Sequence, residues 1–209
     1  TGCAAMQLDE LKKRAANGDH AWIAAQSITC KKASDRCSQL HLIKGDACFR
    51  LAKAGTSPEV NFNCAADELS MGLELRPSWS DATAHRQFQE NLCESLRNLA
   101  KPEDRNTSGP AINRLVEAAE RLYRLAPESV PAVFYIEDAR LKSIQATLPD
   151  LDAASRIPAC NRLKRSVNRV LATMEAADKD AVPDWHRYAH NFQRLSYDLG
   201  MAINAAECR

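Results

Sequence analysis

The feature that most constrains this chain is the spacing of its apolar residues, which recur every three or four positions almost from end to end. This spacing places apolar side chains on one face of an α-helix. No segment shows the strict alternation of apolar and polar residues that predicts a strand, and the 209 residues include only 7 glycines. We therefore predict an all-α fold. A typical stripe, near the C-terminal end, consists of Tyr188, Phe192, Leu195, Leu199 and Ile203.

Start and stop signals divide the chain into about nine helices. At Ser57-Pro58-Glu59 a serine cap, a proline in the first turn and a glutamate against the positive end of the helix dipole predict a helix start. We assign residues 1–5 to an N-terminal tether and residues 6–209 to a single helical-repeat domain. The predicted helices lie near 5–16, 20–32, 35–53, 58–76, 79–99, 110–126, 131–147, 153–177 and 184–206.

Eight cysteines are many for a helical protein of this size. Disulfides persist in oxidising compartments, so the count favours an exported chain. No CxxC pair occurs, and the spacings do not resemble those of zinc ligands. The alternative is that most of the cysteines are reduced, small apolar residues buried on helices.

The positions of the cysteines relative to the predicted helices suggest three disulfides. The suggested pairs are Cys30 with Cys37 across a turn, Cys48 with Cys64 on successive helices, and Cys160 with Cys208 near the end of the last helix. Two cysteines are outside these pairs: Cys93, which we expect to be a buried free thiol, and Cys3 at the N-terminal end.

The chain begins with Thr1-Gly2-Cys3, which resembles the end of a bacterial lipoprotein signal, where a small pair precedes the cysteine that is lipidated. The resemblance implies a lipid anchor on Cys3 and a periplasmic, membrane-tethered protein. The alternative is that Thr1 and Gly2 come from a vector and that Cys3 is an ordinary thiol. No apolar run of about 18 residues is present, so we expect membrane association only through the anchor.

A weak repeat occurs where helix pairs meet: residues 72–77 (GLELRP) resemble residues 122–127 (LYRLAP). The tetratricopeptide (TPR) family has a small residue in the first helix of each pair and small, apolar and small residues followed by a proline in the second. This spacing is matched by Gly45, Ala65, Leu69, Gly72 and Pro77, although about two extra helical turns separate Gly45 from Ala65. The resemblance implies antiparallel helix pairs stacked as a right-handed superhelix. The alternative is an irregular helical bundle.

No motif of a catalytic site occurs in the sequence. It lacks a GxSxG nucleophile elbow, a glycine-rich phosphate loop, a dinucleotide fingerprint and an HExxH helix. His186 and His190 lie one helical turn apart and could share a metal ion, but no third ligand is evident, and solvent-facing or interface histidines explain them better. We therefore expect no enzymatic activity, no cofactor and no metal.

The net charge of +1 gives no general reason to expect nucleic acid as a partner. One local basic cluster, Arg156, Arg162, Lys164, Arg165 and Arg169, spreads over more than half of a helix circumference, and no aromatic residues for base stacking lie among its members. We interpret it as a solvated face, or as a patch that meets an acidic protein surface.

In TPR-like proteins the first helix of each pair lines the concave side, where the family binds proteins or peptides. The resemblance therefore points to another protein as the partner. Tryptophan, tyrosine and arginine are common anchors of protein interfaces, and we predict that the following residues contact the partner: Trp79, His85, Arg86, Tyr135, Glu137, Arg140 and Arg187.

Two roles suit an exported, non-catalytic helical repeat. The first is an immunity protein that neutralises a secreted toxin, such as a lipase effector of type VI secretion. The second is an assembly or transport accessory, similar to pilotins or to the TPR component associated with TRAP transporters.

Overall fold

The fold is described from a computed structural model over residues 2–76, 78–103, 105–179 and 182–208; of residues 2–4, 105–108, 178 and 179 only the backbone is described. The regular structure of these residues is entirely helical, which confirms the all-α prediction. The helices are α1 (Gly2–Ala16), α2 (His20–Ala24), α3 (Asp35–Lys53), α4 (Pro58–Leu75), α5 (Ala82–Leu99), α6 (Arg105–Leu125), α7 (Val130–Thr147), α8 (Ala153–Lys179) and α9 (Trp185–Ala205), with a short 3₁₀ turn at Leu148–Asp150. None of the described helices has the length and apolar character needed to cross a membrane.

The second helix is much shorter than the sequence predicts, because it ends at Ala24 instead of near residue 32. The irregular segment that follows packs Ile28 and Cys30 against the core formed by α1 and α3. Cys30 is also bonded to Cys37 in the first turn of α3, and Ser34 caps that helix by accepting a hydrogen bond from the Cys37 N–H. A continued helix would carry Cys30 away from these contacts.

The helices form two compact units, unit 1 (residues 1–99, helices α1–α5) and unit 2 (residues 100–209, helices α6–α9). Neighbouring helices pair within each unit: α3 with α4 and α4 with α5 in unit 1, and α6 with α7 and α8 with α9 in unit 2. The single helical-repeat domain and its N-terminal tether remain predictions, and the side chain of Cys3 lies outside the described residues.

Two glycines allow α3 and α4 to approach closely. A Cβ on Gly45 would lie 2.7 Å from Cγ of Leu69, and a Cβ on Gly72 would lie 2.7 Å from Cγ of Leu42. The leucine of each helix therefore occupies the space that the glycine of the other helix leaves. Ser38 secures the same contact, because its hydroxyl donates a 2.7 Å hydrogen bond to the Gly72 carbonyl.

Six cysteines form the three predicted disulfides, Cys30–Cys37, Cys48–Cys64 and Cys160–Cys208, with Cα–Cα separations of 5.5, 5.9 and 5.4 Å. They join the segment before α3 to its first turn, α3 to α4, and α8 to the residues after α9. Cys93, on α5, is buried and takes part in none of them. Three disulfides indicate an oxidising compartment outside the cytoplasm.

Helix α7 is the central helix of unit 2. It contacts α6, α8 and α9, and every residue from Val130 to Ala139 is buried. A helix enclosed on all sides is a core element. The TPR resemblance implies that this helix lines an open concave surface, but the structure covers it with the other helices of its own unit.

Candidate functional site

The loop between α4 and α5 carries a tryptophan held between two other side chains. The Trp79 ring stacks on the His85 ring with centroids 4.3 Å apart and an angle of 4° between the planes. Cζ of Arg76 lies 4.5 Å from the centre of the same indole. Because the imidazole fills one face of the indole, the guanidinium must lie over the other. Trp79 is thus ordered although it is only half-buried.

Local hydrogen bonds hold the two groups that enclose Trp79. Nε of Arg76 donates to the Ser78 carbonyl over 3.2 Å and lies 3.9 Å from a carboxylate oxygen of Asp35. His85 belongs to the first turn of α5, where the carboxylate of Asp81 accepts a 3.0 Å hydrogen bond from the Ala84 N–H. The sandwich is therefore held in place by contacts within unit 1.

The imidazole in this sandwich is neutral at pH 7. Burial lowers the pKa of His85 below its usual value of 6.5, and the positive charge of Arg76 lowers it further. A neutral ring stacks beside the guanidinium of Arg76 without the repulsion that a protonated ring would meet. Acidification therefore weakens the sandwich.

A groove of about 510 Å³ lies next to the loop, between the α1–α2 turn, α3 and α5. Ile23, Ile43 and Phe88 line it with apolar surface, and the Phe88 ring also lies 6.2 Å from the ring of Trp79. We call Arg76, Trp79, His85, Phe88 and this groove the Trp79 surface. The groove lies along α3 and α5, which contact each other at Asp46 and Asn91.

A chain of hydrogen bonds forms the polar wall of the groove. Nε of Arg50 lies 2.6 Å from one carboxylate oxygen of Asp46, and the other oxygen accepts from the Asn91 amide over 3.3 Å. Gln87 donates to the amide oxygen of Asn91 over 3.0 Å. Arg50 is 59% exposed, so this wall carries an exposed guanidinium whose charge is paired with Asp46.

The structure brings Trp79 and His85 together. Arg86 follows His85 on α5, and its Nε lies 3.3 Å from Oε1 of Glu90. Arg76 and Phe88 complete the surface but were missing from the sequence prediction. Arg76 could have been found as a cation three positions before an aromatic residue in a loop. Asp46 and Asn91 form the polar wall through a hydrogen bond between residues that are 45 positions apart in the sequence, and no sequence pattern indicates this contact.

Tyr135 and Glu137 are not available to a partner, because the two side chains are only 2% and 1% exposed. Tyr135 packs edge-to-face on Tyr188, with ring centres 6.0 Å apart. Glu137 accepts a hydrogen bond from Arg140 over 2.7 Å and another from the hydroxyl of Ser166 over 2.5 Å. The prediction that they are surface contacts is wrong for the physical reason that α8 and α9 cover α7.

The other two predicted contact residues belong to unit 2. The Arg140 side chain is 42% exposed and is held by Glu137. Arg187 is 45% exposed, lies 3.0 Å from a carboxylate oxygen of Asp184, and has its Cζ 5.6 Å from the ring centre of Tyr188.

Among the residues that the structure describes, no three histidine, cysteine, aspartate or glutamate side chains lie close enough together to hold a metal ion. No protein-family model matches the chain, and neither a curated protein nor a solved structure is significantly similar to it.

Proposed function

We propose that this chain is an exported, non-catalytic helical protein that binds another protein through the Trp79 surface. The observation that carries the proposal is the half-buried Trp79, stacked between Arg76 and His85 beside an apolar groove. Tryptophan and arginine are the residues most enriched among those that dominate binding energy at protein interfaces. Their place here, next to a concave apolar surface, is typical of such an interface.

The fixed geometry of the Trp79 surface favours tight binding. Side chains that are mobile in the free protein lose conformational entropy when a partner orders them, at a cost of about 0.5–1.5 kcal/mol each. Trp79, His85 and Arg76 are already ordered by one another. Most of the free energy gained from burying the indole is therefore available for affinity.

The compartment we propose is the periplasm, with a lipid on Cys3 tethering the protein to a membrane. The three disulfides support export into an oxidising compartment. The lipid anchor is supported by the sequence Thr1-Gly2-Cys3.

The specific role we propose is that of an immunity protein that neutralises a secreted toxin, such as a lipase effector of type VI secretion. An inhibitor of this kind acts stoichiometrically, so it needs high affinity and no reaction of its own. A rigid, disulfide-bonded helical protein with an ordered aromatic anchor meets that requirement.

The test is growth protection against the toxin encoded next to the gene of this protein, with both proteins directed to the periplasm. We expect the unaltered protein to protect and Trp79→Ala to bind the purified toxin at least about thirtyfold more weakly, the effect of losing 2 kcal/mol or more at a central anchor. The matched control is Trp22→Ala: Trp22 is a second partly exposed tryptophan of unit 1 and lies under Arg14, with 4.8 Å from Cζ to the ring centre.

The outcomes distinguish a failure of the proposed immunity role from a failure of the proposed Trp79 surface. If the unaltered protein gives no protection against its neighbouring toxin, the immunity role is wrong. If it protects and Trp79→Ala binds as tightly as Trp22→Ala does, the role stands and the Trp79 surface is wrong.

A further inference from the structure

Three arginines form a row along one exposed side of α8. Arg162, Arg165 and Arg169 are separated by three and four positions, the spacing that places side chains on one face of a helix. All three side chains are exposed. The row covers about 10 Å along the helix axis, because each residue of an α-helix adds about 1.5 Å.

The positive charge of this row is not balanced. Within the part of the chain that the structure describes, neither Arg162 nor Arg165 has an ion pair. Arg169 lies 3.2 Å from Oε1 of Glu137, but Glu137 is shared with Arg140 at 2.7 Å. One buried carboxylate therefore serves two guanidinium groups, and this cluster also carries a net positive charge.

The row leads into a cleft of about 350 Å³ between the end of α6, the start of α7 and α8. Val130, Val133 and Ala176 give it apolar walls, and the polar side chains of Arg169, Thr173 and Glu128 also line it. Cζ of Arg169 lies 5.6 Å from the ring centre of Tyr123, which also lines the cleft. Glu137 and Tyr123 fix the guanidinium, and its remaining N–H groups can take an anion at the edge of an apolar space.

We propose that the arginine row and this cleft bind an acidic segment of a partner protein, with carboxylates along the row and an apolar side chain in the cleft. Carboxylates match the bidentate geometry of arginine. Residues 156–169 of α8 include no aromatic residue, so this part of the helix has no ring of its own on which bases could stack, which favours a peptide. The proposal concerns unit 2 and does not depend on the Trp79 surface.

The length of α8 from Arg162 to Ala176 sets the size of the segment. Fourteen positions correspond to about 21 Å, which an extended peptide covers with about six to seven residues. The probe is therefore a fluorescein-labelled octapeptide of four glutamates followed by Leu-Ala-Leu-Ala, used together with the reversed sequence. Binding is measured by fluorescence anisotropy at about 20 mM and at about 500 mM NaCl.

We expect one of the two peptides to bind and to weaken at high salt. Replacing both Arg162 and Arg165 with glutamine should weaken binding about tenfold at low salt, since each exposed ion pair contributes a factor of a few. The control pair, Arg36→Gln with Arg194→Gln, removes the same charge from exposed positions elsewhere and should leave binding unchanged. Ala176→Glu keeps all the arginines but blocks the cleft, and should also weaken binding about tenfold.

Three results would overturn the proposal: no binding of either peptide up to about 1 mM, equal weakening by the control pair, or undiminished binding by Ala176→Glu. A labelled thymidine oligomer that binds more tightly than the peptides, with the same loss in the arginine variants, would assign the row to nucleic acid instead. Thermal unfolding of each variant checks that the fold is intact.

Discussion

His41 gives the sharpest test of the packing in unit 1. Its ring is 5% exposed, with Nδ1 2.6 Å from Oε2 of Glu68 and Nε2 2.7 Å from the carbonyl oxygen of Cys30. A carbonyl only accepts hydrogen bonds, so Nε2 must carry a proton, and an ionised Glu68 requires a second proton on Nδ1. His41 is therefore a buried imidazolium that ties the segment bearing the Cys30–Cys37 disulfide to α3 and α4.

The raised pKa of His41 makes the free energy of unfolding depend on pH. Burial alone would lower the pKa of His41, but hydrogen bonds to Glu68 and Cys30 and the charge of Glu68 raise it above its usual value of 6.5. Above pH 6.5 the unfolded chain releases the proton while the folded chain keeps it. The free energy of unfolding then falls with pH, by at most about 1.4 kcal/mol per pH unit, until the folded pKa is passed.

The carboxylate of Glu68 sets the lower end of the pH range in which the pair stabilises unit 1. Burial would raise its pKa, but hydrogen bonds from His41 and Lys44, and the charges of both, lower it below 4.5. Its contribution to stability is present above pH 4.5 and is lost as the pH falls through the folded pKa. The pair should therefore stabilise unit 1 most between about pH 4.5 and 6.5.

The perturbation is His41→Gln, which keeps one donor but does not titrate. At pH 5.5 we expect a loss of about 2–3 kcal/mol in the free energy of unfolding, since a charged, buried hydrogen bond is removed; the loss should shrink as the pH rises above 6.5. Urea unfolding from pH 5.5 to 8.5 measures this difference, and His186→Gln, at an exposed position of α9, is the control. A loss that is the same at every pH, or a neutral His41 ring by nitrogen NMR at pH 6, would refute the reasoning.

Three further outcomes follow from the packing. Gly45→Ala should cost about 1–3 kcal/mol, because its Cβ would lie 2.7 Å from Cγ and 2.9 Å from the backbone nitrogen of Leu69. In a double-mutant cycle of urea unfolding, Leu69→Ala should lower the added cost of Gly45→Ala but not remove it, because the backbone contact remains. Glu137→Ala should cost about 1–3 kcal/mol, because it leaves the buried hydroxyl of Ser166 without its acceptor; an unchanged denaturation midpoint would contradict this. Replacing Cys160 and Cys208 with serine should cost about 4 kcal/mol for a loop of 48 residues, and a thermal unfolding temperature equal to that of the oxidised protein would show that the bond contributes nothing.

The sequence was most informative about features that depend on near neighbours. Helix periodicity predicts the helices, and the disulfide pairs follow because each cysteine lies near a helix end or on the next helix along the chain. His41 shows the limit of this reasoning: its partner Glu68 is 27 positions away, and no spacing rule connects them. The prediction that Glu137 is a surface contact failed for a related reason. A charged residue on a helix usually indicates an exposed face, but α8 brings Ser166 and Arg169 to Glu137, and the sequence does not show this contact.

The position of the Trp79 surface depends on packing that does not touch it. Arg76 follows directly after α4 ends at Leu75, so the guanidinium that covers Trp79 is placed by the orientation of α4. That orientation is fixed at one end by the Cys48–Cys64 disulfide and, one turn before Arg76, by Gly72 against Leu42. The other side of the indole is placed by His85 at the start of α5. A change in the α3–α4 contact therefore moves one wall of the sandwich relative to the other, and the stability of unit 1 is coupled to the geometry of the Trp79 surface through the same two glycines, Gly45 and Gly72.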